Sequence, residues 1–299
     1  MIGEFTYKLI GKESEQNKII DIKNRIVRKI GSRIIPLGYI MTPVKLRETT
    51  KNVIISLTTY GERADTVWIT IESLFRQKGE RANVVLWLSE NEFSANNLPK
   101  NINKLVKRGL EVRFCKDIKS YKKIFYCAKE NREKIIITVD DDCIYPPYFL
   151  KKLLKANEDY PDTVCCYRCN KMILKNGKLA PYSSWVSGDD YSAIPRHDIV
   201  ATGCGGVLYP AFFFKKNDLN NMAFCKIAPN VDDMWLKCLE LKNNYKVCQI
   251  VCEYQGWIAV RGTKKTALYN TNVCENKNDI YFNKLLEYYN LDINTFITE

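Results

Sequence analysis

The sequence predicts an α/β protein: a mainly parallel, Rossmann-like sheet flanked by helices, with antiparallel additions in the C-terminal half. Three observations predict it. Between residues 52 and 140, short apolar runs of strand length alternate with stretches of helical spacing. Strand–helix units at that interval need right-handed crossovers, which join parallel strands. After residue 160 the runs shorten and carry a hairpin signal, Asn176-Gly177, that pairs neighbouring strands in opposite directions.

In chain order, residues 17–35 (NKIIDIKNRIVRKIGSRII) space Ile19, Ile22, Ile26, Ile30 and Ile34 by three and four, with Val27 alongside and cations on the other face. This predicts a helix ended by Pro36 and Gly38. Its apolar face would pack on the rest of the protein or on a partner, or lie on a membrane surface. VIISL (53–57) is a short buried strand, TVWITIESLFRQ (66–77) a helix and NVVLWLS (83–89) a second strand. NINKLVKRG suits a helix with a glycine stop, and LEVRFC (110–115) a third strand. YKKIFYCAKEN (121–131) reads as helix and KIIITV (134–139) as a fourth strand. TVCCYRC and the ILKNGKL hairpin follow, then a polar, aromatic loop, TGCGGVLYP, a helical APNVDDMWLKCLELK and a closing strand VCQIVCEY. No clean linker separates the halves. We therefore expect a basic N-terminal extension at 1–48, one domain at 49–275 with halves at about 52–160 and 161–275, and a helical tail at 276–299.

The 299 residues are 46% hydrophobic and 27% charged, which excludes a disordered chain. No window approaches the ~20 apolar residues that span a bilayer, and MIGEFTYKLIGKESEQNK has no secretory apolar core. A cytoplasmic protein is expected, with peripheral contact at the inner face of the cell membrane as the further option. Twelve cysteines then read as reduced, small buried hydrophobes. Cys166-x-x-Cys169 with Cys248-x-x-x-Cys252 would be a zinc site only if a tight turn replaced the strand-like sequence around them. The net charge of +12 implies anionic company, whether nucleic acid, nucleotide diphosphate or acidic lipid. Much of the excess lies between Lys18 and Arg47, where eight basic residues face one acid, Asp21.

Ligands on such sheets bind beyond the carboxyl ends of the strands. That rule selects SLTTYGER after the first strand and DDDCIYPP after the fourth. A buried strand delivers Asp140, Asp141 and Asp142 together, a cluster that repels itself unless a cation or donors offset it. Mg²⁺ or Mn²⁺ takes one or two carboxylates plus substrate phosphates. An Asp-x-Asp-x-Thr phosphohydrolase is disfavoured, because Ile144 stands at the fifth position and the cluster follows the fourth strand. Asp232-Asp233 opens an amphipathic helix, where acids also serve simply as caps. Asp189-Asp190 reads as a solvated turn. Gly203, Gly205 and Gly206 allow close backbone approach to a ligand, and equally a tight turn. His197, the one histidine, reads as a loop residue rather than a catalytic one.

Taken in order, VIISLTTYGER, LFRQ, IIITVDDDCIYPP, GCGGVLYP and PNVDDMWL resemble the GT-A-fold glycosyltransferases of the bacterial family-2-like type that build capsule and lipopolysaccharide. The resemblance runs from about residue 52 to about 255. It implies that Thr58, Thr59, Tyr60 and Arg63 line a uracil and ribose pocket, with Lys122 and Lys123 reaching phosphate. Asp140 and Asp141 would meet the donor, Gly205 and Gly206 would approach it, and Asp142 with Asp140 would hold Mn²⁺ or Mg²⁺. Asp233 would be the general base of an inverting transfer, with Asp232 standing where relatives carry Glu. Relatives often add a late histidine to the metal; no histidine follows His197, so a third protein ligand is unassigned. Tyr182, Trp185 and Tyr191 could stack on the acceptor sugar, or simply pack their loop.

The implied reaction moves a sugar from a UDP-sugar donor to a hydroxyl of a saccharide or lipid-linked saccharide. Two rivals are weaker. A nucleotidyltransferase would carry a glycine-rich, basic phosphate loop, and SLTTYGER has one glycine and one arginine. A nucleic-acid-binding protein would explain the charge but not three carboxylates at a buried strand's exit, so no nucleic-acid partner is expected.

Overall fold

The computed structural model describes residues 2–10, 18–46, 49, 52–187, 194–251, 257–263 and 277–297. Asp189, Asp190, Tyr191, Cys252 and the end of VCQIVCEY lie outside them. The anticipated alternation is present. β1 (Val53–Thr58), α3 (Val67–Phe75), β2 (Asn83–Ser89), α4 (Lys100–Val106), β3 (Glu111–Cys115), α5 (Lys122–Asn131) and β4 (Ile135–Thr138) follow one another after two N-terminal helices, α1 (Ile2–Lys8) and α2 (Lys18–Met41). β1 pairs in parallel with β2 and β4, and β2 with β3.

The second half completes the sheet. After β5 (Cys143–Ile144) and α6 (Phe149–Asp159), β6 (Thr163–Cys166) joins it, followed by the short strands β7 (Cys169–Lys171), β8 (Leu174–Lys175), β9 (Lys178–Leu179), β10 (Val186–Ser187) and β11 (Ile199–Ala201). β12 (Val207–Tyr209), α7 (Ala223–Ile227), α8 (Asp232–Lys242), β13 (Lys246–Gln249), β14 (Ile258–Ala259) and α9 (Lys277–Tyr288) close the order. The seven-stranded sheet runs β13-β6-β12-β4-β1-β2-β3. β12 alone among these is reversed, antiparallel to both β4 and β6. The Asn176-Gly177 signal makes the β8–β9 hairpin, both residues at positive φ (52° and 69°), as a type I′ turn needs.

The apolar faces of these elements fill two layers. On one face of the sheet Ile124 and Phe125 of α5, Trp235 and Leu239 of α8 and Phe282 and Leu285 of α9 are buried together. On the other, Val67, Ile71 and Leu74 of α3 meet Ile102, Leu105, Phe149 and Leu153. Cys165, Cys166, Cys238 and Cys248 are buried in these layers. The last helix thus belongs to the main core rather than forming a separate tail.

Two expectations for the N-terminal segment need correction. α2 does not end at Pro36; it continues to Met41 with Pro36 inside it. The missing N–H costs a helical hydrogen bond, but Ile35 and Tyr39 are buried on either side of the proline, and Arg76 Nη2 caps the end by donating to Thr42 O at 2.5 Å. Packing on the core is made by Asn24, Gly31, Ile35 and Tyr39, not by the isoleucine row that the spacing picked out.

Candidate active site

Because six strands of the sheet point one way, their carboxyl ends form one edge, and the chain leaves that edge with its polar residues. A cavity of about 860 Å³ opens there, within the range of small-molecule sites. Thr58, Tyr60 and Arg63 after β1, Asp117, Lys119 and Ser120 after β3, and Lys122 and Lys123 opening α5 form one side. Asp140–Asp142 after β4 form the floor. Across from them stand Tyr182, Trp185, Gly203 and Cys204, with Asp232 and Asp233 at the start of α8.

The three consecutive aspartates divide their work by direction. The Asp141 side chain is 7% exposed, whereas Asp140 and Asp142 are 30% and 25% exposed and face the cavity. Asp141 is fixed inward. It accepts hydrogen bonds from Thr59 Oγ1 (2.5 Å) and Arg63 Nε (3.0 Å), and its backbone oxygen accepts from Thr70 Oγ1 (2.9 Å). Thr59 therefore does not line the cavity; it anchors the middle aspartate, and Arg63 shares that work while also standing 3.1 Å from Asp142 Oδ2. Burial opposes the Arg63 charge, but its bonds to Asp141 outweigh burial and hold its pKa above the ordinary value. Burial, then the charge of Asp140, raises the pKa of Asp142.

Lys123 joins the two carboxylate clusters. Its buried Nζ donates to Asp140 Oδ1 at 2.7 Å and lies 3.2 Å from Asp232 Oδ2. Burial disfavours its charge, yet Asp140, Asp232 and Asp233 together raise its pKa well above the usual lysine value. Lys122 instead binds Asp117 at 2.6 Å. Although burial would raise it, hydrogen bonds from Lys119 and Lys122 lower the Asp117 pKa to about 2.

Asp233 accepts a long hydrogen bond from the Gly203 N–H at 3.4 Å. Burial, then the adjacent Asp232, raises its pKa to about 8, against the lowering pull of Lys123. The preceding Asn230, at φ 64°, adopts the left-handed turn that starts α8 at the cavity.

Of Gly203, Gly205 and Gly206, the cavity is lined by Gly203. Gly205 and Gly206 do not line the cavity: a Cβ on Gly205 would sit 2.7 Å from Arg168, and one on Gly206 would sit 2.4 Å from Phe149. They are packing glycines. The glycine at the site is Gly203, whose added Cβ would lie 2.8 Å from Lys123 Nζ, 3.3 Å from Asp140 and 3.4 Å from Asp233.

Tyr182 and Trp185 reach the cavity and are locked from behind. Tyr182 Oη accepts from Asn170 Nδ2 at 2.7 Å, Tyr182 N–H donates to Asp279 Oδ1 at 2.7 Å, and Trp185 meets Phe282 edge-on. Asn278 of α9 lines the cavity too. His197 does not; it packs against Phe296. No sequence pattern singles out Arg168, Asn170, Asp117 or Asn278, since each is an isolated polar residue brought to the cavity by tertiary folding.

No described group of three His, Cys, Asp or Glu side chains could hold a metal alone. Asp140 and Asp142 offer two hard oxygen donors toward the cavity, which suits a Mg²⁺ or Mn²⁺ whose remaining ligands come from phosphate and water.

Comparison with known proteins bears on the family and the fold. Residues 54–202 match the model of Glycosyl transferase family 2. No curated protein matches the sequence. In fold the chain is similar to the mannosyltransferase PcManGT from Pyrobaculum calidifontis, at TM-score 0.51 and 12% identity over 90% of this chain and 81% of that one. Similarity to S. aureus TarS 1-349 is lower, at TM-score 0.48 and 15% identity, and this chain spans 59% of that one's length. The matched segment holds the first strands, the aspartate triplet and the approach to Gly203. That match makes residues 54–202 a Glycosyl transferase family 2 domain, set in an architecture of GT-A fold.

Proposed function

We propose that the protein transfers a hexose from a UDP-sugar to a hydroxyl of a saccharide or lipid-linked saccharide, in the building of a surface glycan, with inversion at the anomeric carbon. The observation that carries this reading is one cavity with two carboxylate clusters, Asp140/Asp142 and Asp232/Asp233, held apart by a single buried lysine. A transfer of this kind needs those two provisions. The diphosphate leaves only if its developing charge is met, and the attacking hydroxyl must lose a proton.

Asp140 and Asp142 would hold Mn²⁺ or Mg²⁺, which when bound neutralises charge on the departing diphosphate. The Pyrobaculum mannosyltransferase is described in complex with GDP-Man and Mn²⁺, and a TarS structure in complex with UDP. Thr58, Tyr60 and Arg63, which line the β1 side of the cavity, would receive the nucleoside. Lys122 and Arg168 bring further positive charge to the same cavity. Tyr182 and Trp185 offer aromatic faces to the acceptor sugar. Asp233 accepts the hydroxyl proton; an elevated carboxyl pKa makes it a stronger base than an exposed aspartate. Lys123, 2.7 Å from Asp140 Oδ1 and 3.2 Å from Asp232 Oδ2, would hold both carboxylates in place while this happens.

The test is a panel of nucleotide sugars with Mn²⁺, scored by release of the nucleoside diphosphate, with calorimetry of UDP in Mn²⁺ and in EDTA. UDP-sugar turnover and UDP binding that needs the metal are expected, both lost in Asp142→Ala. Equal UDP affinity in Mn²⁺ and EDTA would remove the metal role of Asp142.

A further inference from the structure

α2 carries two apolar faces, and the core uses one. Asn24, Gly31, Ile35 and Tyr39 turn inward, where Tyr7, Ile10, Ile144 and Ile258 meet them. The row Ile19, Ile22, Ile26, Ile30 and Ile34 is exposed, and Leu37, Ile40 and Met41 extend it, with Ile19 and Met41 about 80% exposed. At about 100° per residue, these eight side chains fall in a stripe about 120° wide on the side away from the core.

α1 widens the stripe. Ile2, Phe5 and Leu9 are exposed at helical spacing, and Ile2 lies against Gly38 while Thr6 lies against Gly31. The two glycines, two turns apart, let α1 approach closely in the opposite direction. Eleven large apolar side chains are thus exposed on α2, α1 and the turn that follows α1. Patches beyond a few hundred Å² on a folded protein mark a binding face.

The charges select the occupant. Lys18, Arg25, Lys29 and Arg33 run along one border of the stripe and Lys23 stands on the other, all exposed, while Asp21 is the one acid in the helix. A second copy packing face to face would set this row of cations against itself. An anionic bilayer satisfies both parts: apolar side chains enter the acyl boundary and the cations meet the headgroups. No described helix is long and apolar enough to cross a membrane, so such a helix pair would lie in the interface.

We propose that the α1–α2 pair is a docking face for an anionic lipid bilayer, seated by the exposed apolar row from Ile19 to Met41 of α2 with Ile2 and Phe5 of α1 and Leu9 just after it. This goes beyond the proposed reaction and does not depend on it. The pair is also fixed to the site: Tyr7 Oη donates to Ile144 O, two residues after Asp142, and accepts from Ile258 N–H. Docking therefore holds the cavity at a set height above the lipid surface.

The test is co-sedimentation of the full chain with vesicles of pure phosphatidylcholine, and of phosphatidylcholine mixed with phosphatidylglycerol. Deletion of the pair is unsuitable, because Tyr7, Ile35 and Tyr39 are in the core. Point variants on the exposed face serve instead. The wild type should pellet with the anionic vesicles. Ile26→Ser/Ile30→Ser/Ile34→Ser should lower partitioning on the order of 10²-fold or more at an unchanged melting temperature. Lys29→Glu/Arg33→Glu, which alters only exposed side chains, should abolish the preference for anionic vesicles, and it decides the matter if the serine variant fails to fold. Wild type that stays in the supernatant, or a charge-reversed variant that pellets like it, overturns the proposal. So does a wild-type dimer that the serine variant dissociates without any vesicle binding, which would give the face to a second copy.

Discussion

Replacing Lys123 with methionine keeps the length of the side chain and removes its charge from among three carboxylates. In the folded protein that charge lies 2.7 Å from Asp140 Oδ1 and 3.2 Å from Asp232 Oδ2 and lowers the pKa of Asp233. Losing one partner of a buried ion pair costs about 3–5 kcal/mol, because the other partner keeps its desolvation. The Asp140 side chain is 30% exposed, so water recovers part of this and the lower end, about 3 kcal/mol, applies. For a chain of this size that is a fall in melting temperature of about 5–10 °C. The deficit must also depend on pH in one direction. With no cation beside it, the Asp233 carboxyl in the folded variant titrates still higher than in wild type, so the folded variant holds a proton that wild type has released. That part of its stability is therefore preserved at lower pH and lost as pH rises. Because the unfolded chain is common to both, the gap from wild type should widen as pH rises through about 8, where Asp233 titrates with the lysine present. Thermal melts across that range read it directly. A melting temperature equal to wild type at alkaline pH, or a gap that does not change with pH, refutes the role of Lys123 as the cation between the clusters.

Three further outcomes are expected. Asp233→Asn should keep UDP and metal binding while turnover falls by roughly 10²–10⁴-fold; normal turnover would move the base elsewhere. The rate on the acid side should rise with pH through an apparent value near 8, since only ionised Asp233 accepts the proton, and this limb should vanish in the Asn variant. Gly203→Ala should cut turnover by about tenfold or more, because its methyl would lie 2.8 Å from Lys123 Nζ, whereas full activity would show that the lysine yields at no cost.

The first half of the fold was legible because its strands and helices are long enough for their periods to show, and β2 falls where NVVLWLS begins and ends. Beyond residue 160 several strands are two or three residues long, too short for any period, and the Asn-Gly turn, the helical stretch of α8 and the start of VCQIVCEY were what could be read there. Asp140–Asp142 stood out because a buried strand ends in charge. That the middle one points inward to Thr59 and Arg63 follows from the pairing of distant loops. Lys123 and Asp232 each looked plausible alone; their contact depends on α5 and α8 meeting at one sheet edge. Likewise Gly203, Gly205 and Gly206 are equivalent as letters, and the surroundings of each decide its role. The isoleucine row of α2 was read correctly as apolar and periodic. Its exposure was hidden because Ile35 and Tyr39 supply a second apolar face on the same helix.

α9 stands behind the cavity wall that carries Tyr182 and Trp185, with Asp279 bonded to the Tyr182 backbone, Phe282 against Trp185 and Asn278 at the cavity itself. The same helix buries Phe282 and Leu285 with Trp235 and Leu239 of α8, the helix that opens with Asp232 and Asp233. One brace therefore stands behind both the aromatic wall and the second carboxylate pair. A change in its packing would be felt at both ends of the cavity at once, so the contour of the site and the position of its carboxylates cannot be altered independently through α9.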